Sequence, residues 1–267
     1  MERFMSRIFF QLACLSTVMF CASANAAMHT QTIDYKIAGK KYQGFLAYDD
    51  AKVGKLPGVL LVHDWLGMGD QIKSRAKQVA TLGYVAFAAD IYGKGIVAHD
   101  HNEAGKLAGA YMADRKLLRG RMTAALDVLK ADAHVDPTHV AVAGYCFGGM
   151  GALELGRSGT NIAGIVTFHG LLGTPDPADA KQIKGRVLAL QGSEDPICPK
   201  EQLAAFQEEM RAAKTVDWQL VTYGNTMHSF TVPTAHNPEA GMLYSPSADR
   251  RSWEAFKDFL AEVFAAD

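Results

Sequence analysis

The fold class the sequence predicts is α/β, a doubly wound and mostly parallel sheet with helices on both faces. Three observations predict it. From Gly58 onward, short apolar runs alternate with helical stretches. The runs are continuous rather than polar–apolar alternating, as in strands buried on both faces. One of them ends in Gly144-Tyr-Cys-Phe-Gly148, a glycine-flanked turn leading directly into a helix.

Taken in order, residues 32–37 and 43–48 alternate around Ala38-Gly-Lys-Lys41 and read as an opening hairpin. Residues 58–63 are a central strand, and the loop 63–69 leads to a helix capped by Asp70 and running to about Leu82, ended by Gly83. The next strand is 84–89. A loop with Gly93 and Gly95 follows, then helices over 101–112 and 114–131, the second with an apolar stripe through Leu117, Leu118, Met122, Leu126 and Leu129. Asp136-Pro137 breaks the pattern before a strand at 138–143 and a helix at 149–156. Strands at 162–168, 186–191 and 217–223 alternate with a proline-containing loop (171–180) and a helix (200–214). A long loop runs from Thr226 to about Ser247, and an amphipathic helix over 248–266 closes the chain.

The chain has 267 residues, 49% hydrophobic and 21% charged, enough for one well-cored domain. A net charge of −1 with no long basic run gives no basis for nucleic-acid or membrane-surface binding. The chain shows no internal repeat, and a monomer or small homo-oligomer is expected. Residues 1–26 read as a secretory signal peptide: Arg3 and Arg7 open it, 8–22 is apolar but short for a bilayer span, and Ala24-Asn25-Ala26 is a cleavage pattern. That reading places a single domain at 27–267 in the periplasm or outside the cell, with no stable membrane insertion after cleavage.

The turn carries the chemistry. Gly144 and Gly148 remove side chains that would collide in a tight strand-to-helix turn, which exposes Cys146 at a helix N-terminus. The helix dipole there favours thiolate, and the Phe147 N–H is placed as an oxyanion donor. Asp195 lies four residues beyond a strand end at Gln191, and His228 five beyond Tyr223. A thiol needs a base, and an imidazole needs a carboxylate to fix its tautomer, so Cys146, His228 and Asp195 form a candidate triad. With the signal peptide removed, Cys146 and Cys198 are the remaining cysteines, and an oxidising compartment could join them. That disulfide defines a rival reading as a non-catalytic or redox-gated binding protein; an acyltransferase is the rival enzyme.

Five stretches resemble the dienelactone hydrolase family: His63-Asp-Trp-Leu-Gly67, Ala89-Asp-Ile-Tyr92, Gly144-Tyr-Cys-Phe-Gly-Gly149, Gly192-Ser-Glu-Asp-Pro196 and Gly224-Asn-Thr-Met-His-Ser-Phe230. The resemblance implies an α/β-hydrolase fold, a Cys-His-Asp triad acting on a small ester or lactone, no cofactor, and a second oxyanion donor at the Trp65 N–H. It also implies two departures. Asp64 stands where the founding enzymes have a glutamate that holds the resting thiol. Val232 stands where they have a substrate-binding arginine, and no arginine is found near His101 and Asn102 for the other. Losing those bidentate clamps points to a substrate without the usual carboxylate.

Asp64, Tyr92, His169 and Phe230 are candidates for orienting the thiol or walling the pocket; His169 reads equally well as a hydrogen-bonded structural histidine. His99-Asp-His101 lacks further ligands at a recognisable spacing, so no metal is expected. Gly67-Met-Gly69 lacks the Lys-Ser/Thr of a phosphate-binding loop. The signal-peptide reading predicts that the exported protein begins at Ala27; N-terminal sequencing that finds Met1 contradicts it.

Overall fold

The computed structural model describes residues 28–265; the segment 1–26, read above as a signal peptide, lies outside them. β1 (Met28–Ile37) and β2 (Lys40–Asp49) form an antiparallel hairpin. Its turn is Ala38-Gly39, with φ of 48° and 81°, so the two-residue turn extends the pairing through Lys40 and Lys41, which the sequence reading left in the loop.

Then follow β3 (Leu56–Val62), α1 (Asp70–Thr81), β4 (Val85–Ala89), α2 (His101–Ala113), α3 (Arg115–Ala131), β5 (Val135–Tyr145), α4 (Phe147–Arg157), β6 (Gly164–Phe168), β7 (Arg186–Gly192), α5 (Lys200–Ala213) and β8 (Trp218–Tyr223). The eight strands lie in the order β1-β2-β4-β3-β5-β6-β7-β8; β3 to β8 pair parallel and β2 pairs antiparallel to both its neighbours. The chain builds β4 on one side of β3, then crosses to build β5 on the other. The crevice beyond the carboxyl ends of β3 and β5 is therefore a topological switch point, where such sheets bind ligands.

Continuous apolar runs make sense in this sheet. Leu60 and Val62 face one core while Val59 and Leu61 face the other, and β5 divides Val140 and Val142 from Ala141 and Ala143 in the same way. Residues of α2 to α5 cover the first face, and residues of α1 and α6 (Pro246–Val263) the second. Each fully buried Val or Leu contributes about 1.5–3 kcal/mol.

Asp70 is the first helical residue of α1 and not its cap: Gly69 holds the cap position with no side-chain capping bond, and the Asp70 carboxylate complements the helix dipole from the first turn. Three boundaries differ from expectation. β5 begins before Pro137, because a bulge against Pro57/Gly58 absorbs the residues around the proline. The loop after β8 contains a short hairpin, β9 (His236–Asn237) with β10 (Met242–Leu243), joined to the main fold by a bridge between His228 and Met242. The final helix starts at Pro246, capped by Ser245. Among the described residues, no helix is long and apolar enough to cross a membrane.

A buried ion network locks the first face. The Arg157 guanidinium, fully buried, donates to Glu209 Oε1 and Oε2 (2.8 and 2.7 Å), to Glu154 Oε1 (3.2 Å) and to the Leu172 carbonyl (2.8 Å). Arg119 bridges Glu154 to Asp179. Helices α3, α4 and α5 are tied together through groups up to 60 residues apart. Removing one member leaves a buried carboxylate uncompensated, which costs about 3–5 kcal/mol. Arg157→Ala is therefore expected to lower the urea midpoint by that much free energy; a loss below about 1 kcal/mol contradicts the assignment.

Candidate active site

Cys146 is the single residue between β5 and α4, with φ 54° and ψ −116°. A Cβ at Gly144 would overlap the Gly148 carbonyl, and one at Gly148 would overlap the carbonyls of Val62 and His63. The strand-to-helix turn thus packs backbone on backbone against the end of β3, and only glycine fits at those two positions. A left-handed cysteine costs about 1–3 kcal/mol, a strain typical of functional turns. Its own N–H is satisfied by the Phe168 carbonyl at 3.0 Å.

His228 and Asp195 arrive from the ends of β8 and β7. His228 Nδ1 meets Asp195 Oδ2 at 2.7 Å, with both side chains buried. Asp195 Oδ1 accepts the N–H groups of Ile197 (2.8 Å) and Cys198 (3.1 Å), so the carboxylate is fixed before it meets the ring. Burial disfavours a charged His228, but the sulfur of Cys146 and then the Asp195 carboxylate outweigh it and hold the ring at about 10. Nε2 is buried and, among the described residues, has no hydrogen-bond partner. Cys146 and His228 line one cavity of about 300 Å³ with Trp65, Phe147, Ala108, Met112, Leu171 and Ile197.

The loop after β3 supplies Trp65. Asp64 Oδ1 accepts the Leu66 N–H (2.8 Å), and Tyr92 Oη donates to the Trp65 carbonyl (3.0 Å). These bonds grip the Trp65 segment on both sides. Among the described residues, neither the Trp65 nor the Phe147 N–H has a protein acceptor. Asp90 in turn holds the N–H groups of Tyr92 and Gly93 through Oδ1, at 3.0 and 2.8 Å.

The remaining candidates fall elsewhere. Tyr92, His169 and Phe230 do not line the Cys146 cavity. Tyr92 packs against Phe147 and His63 beneath the turn. His169 is fully buried, edge-on to His228 at 4.9 Å between ring centroids, with Nε2 on Thr231 Oγ1 (2.8 Å). Burial, with His228 beside it, holds it well below the ordinary histidine range, so it is neutral packing behind the His228 ring. Phe230 stands edge-on to His169 and is fully buried. Asp64 lines a neighbouring cavity instead, and burial raises its carboxyl above the usual range.

Cys146 and Cys198 are both free thiols, so the disulfide reading is not realised. The Cys198 thiol donates to Gln202 Oε1 (3.2 Å), and burial pushes it up to about 12. Asp100 caps α2 through the Glu103 N–H, and Glu103 accepts the His99 N–H, which gives that acidic–histidine stretch a structural task.

Two groups escaped the sequence reading. His63 pins the ends of β3 and β4, with Nε2 accepting from the Ile91 N–H (3.2 Å) and Nδ1 2.6 Å from the Asp64 carbonyl. Its place at the end of an apolar run was the available signal. Arg115 lines a separate cavity of about 360 Å³ that shares Met112 and Leu171 with the Cys146 cavity. Nothing in the spacing of Arg115 signals that position.

This sheet, with a strained cysteine turn at the switch point and a histidine–carboxylate pair on the following strand ends, is an α/β-hydrolase fold. The dienelactone hydrolase family matches residues 42–264, and the chain belongs to that family. A dienelactone hydrolase-like promiscuous phosphotriesterase from metagenomic libraries is 38% identical, with a TM-score of 0.86 over 90% of this chain and all of its own. A Bradyrhizobium protein described as a probable 2-oxo-3-(5-oxofuran-2-ylidene)propanoate lactonase is 29% identical over 240 residues, 85% of this chain and 93% of its own. Homologues named carboxymethylenebutenolidase include one from Yersinia pestis, 23% identical over 235 residues, 84% of this chain and 85% of its own. The chain is accordingly a carboxylic ester or lactone hydrolase.

A ring held at about 10 against its ordinary 6.5 contributes stability that is complete below about pH 6.5 and lost as pH rises through about 10. Asp195→Asn removes one cause of the shift. Thermal melts between those limits are expected to fall less steeply with rising pH in the variant than in the parent; parallel curves contradict the coupling.

Proposed function

We propose that Cys146 is the nucleophile of this hydrolase, His228 its general base and acid, and Asp195 the group that orients the imidazole. The observation that carries the reading is a strained Cys146 sharing a cavity with a buried His228 whose Nδ1 is held by Asp195 and whose Nε2 is unpartnered. The sulfur attacks the ester carbonyl carbon, with its proton held by His228. The oxyanion is received by the Phe147 and Trp65 N–H groups. The C–O bond breaks, the leaving oxygen takes the proton from Nε2, and an acyl-thioester remains. Water then gives a proton to His228 and attacks the thioester; the C–S bond breaks and the thiol is regenerated.

The cavity wall is apolar apart from Cys146 and His228 and carries no lysine or arginine. That supports an uncharged acyl group, in line with valine at position 232. A neutral phosphotriester is a second electrophile that such a wall would admit, as the 38% identical relative suggests. The leader at residues 1–26 supports action outside the cytoplasm by a single mature domain.

The test is turnover of p-nitrophenyl butyrate, a neutral five-membered lactone and its carboxylate-bearing dienelactone counterpart. The neutral substrates are expected to be preferred in kcat/KM. Cys146→Ala is expected to lower kcat by at least about 10³-fold, and Asp195→Asn by up to about 10⁴-fold. Full activity in Cys146→Ala contradicts the assignment.

A further inference from the structure

The site has two compartments, one apolar and one of mixed, largely polar lining. Beside the apolar Cys146 cavity lies a second cavity of about 260 Å³, and Trp65 and Met242 line both. The polar lining of the second is Asp64, His101, Ser229, Thr234, His236 and Asn237; Leu66, Val232 and Ala235 are the apolar remainder. All six can donate or accept hydrogen bonds, and no lysine or arginine lies among them.

The position of this cavity follows from the reaction. The leaving oxygen takes its proton from His228, so the alcohol half of an ester departs on that residue's side. Ser229, the next residue, lines the polar cavity and is held at φ 58°. Met242 pairs with His228 across the β10 bridge, and the Leu243 N–H donates to the His228 carbonyl at 3.0 Å. The short hairpin therefore attaches the polar wall directly to the catalytic histidine. Trp65 stands between the compartments and carries the free N–H proposed for the oxyanion.

We infer that the polar cavity is a leaving-group subsite for a neutral, polyhydroxylated alcohol, and that the natural substrates are esters joining a small apolar acyl group to such an alcohol. The inference rests on the proposed roles of Cys146 and His228. Mixed donors and acceptors match vicinal hydroxyls, which need both. An alkyl alcohol would forgo these hydrogen bonds, which a hydroxylated one can make.

The experiment compares two butyrate esters, glycerol monobutyrate and butyl butyrate, by kcat/KM. The ratio is internal to each preparation, so loss of folded enzyme cancels. The parent is expected to favour the glyceryl ester by about tenfold or more. His236→Ala and Asn237→Ala, both in the exposed β9, and Asp64→Asn should each reduce that ratio about fivefold, the effect of one lost hydrogen bond. A parent ratio near one, or a ratio unchanged in all three variants, overturns the subsite while Cys146-dependent hydrolysis of butyl butyrate leaves the nucleophile reading intact. Hydrolysis that persists in Cys146→Ala, or none of either ester, overturns the nucleophile reading and the subsite with it.

Discussion

Everything at this site depends on how closely one backbone turn approaches another. Between β5 and α4 there is room for one residue, and it must take a left-handed conformation while the flanking chain presses on the end of β3. Gly144 and Gly148 make that approach possible by having no Cβ. The consequence is a cysteine presented above the sheet at a helix N-terminus, next to backbone N–H groups that α4 itself cannot use. Hydrophobic burial on both faces of β3 and β5 holds the turn against its strain.

The other groups are brought in by the same topology. Parallel strands place their carboxyl ends on one edge, so β3, β5, β7 and β8 deliver Trp65, Cys146, Asp195 and His228 to a shared crevice. Each is then fixed by a local device. Two N–H bonds fix Asp195, the Asp64 turn and Tyr92 grip Trp65, and buried His169 backs the His228 ring. Rigidity is supplied from below by the Arg157 network, which joins α4 to α5 and to the Leu172 carbonyl, next to the cavity-lining Leu171.

Much of this was legible in the chain. Strand ends are local features, and a cysteine turn, an acid and a histidine at successive ends can be placed without knowing any contact. What could not be read depends on loop paths and on partners far apart in sequence. Phe230 and Tyr92 are aromatic, and their composition does not say whether they wall a cavity or pack behind it. Asp64 occupies the expected loop, yet its carboxylate closes a turn over Leu66 and faces a second cavity. Arg157 and Glu209 are 52 residues apart, and no periodicity marks them as a pair. The hairpin of β9 and β10 is two residues per strand, too short for an alternation to reveal.

The central claim is that the acyl group passes through the sulfur of Cys146. It is tested most directly by quenching the enzyme in acid during turnover of a slowly hydrolysed ester and measuring the intact mass and then the digested peptides. The account predicts an increment equal to the acyl group, carried on the peptide containing Cys146 and released by hydroxylamine. Turnover with no acyl adduct, or an adduct on a different side chain, would contradict it.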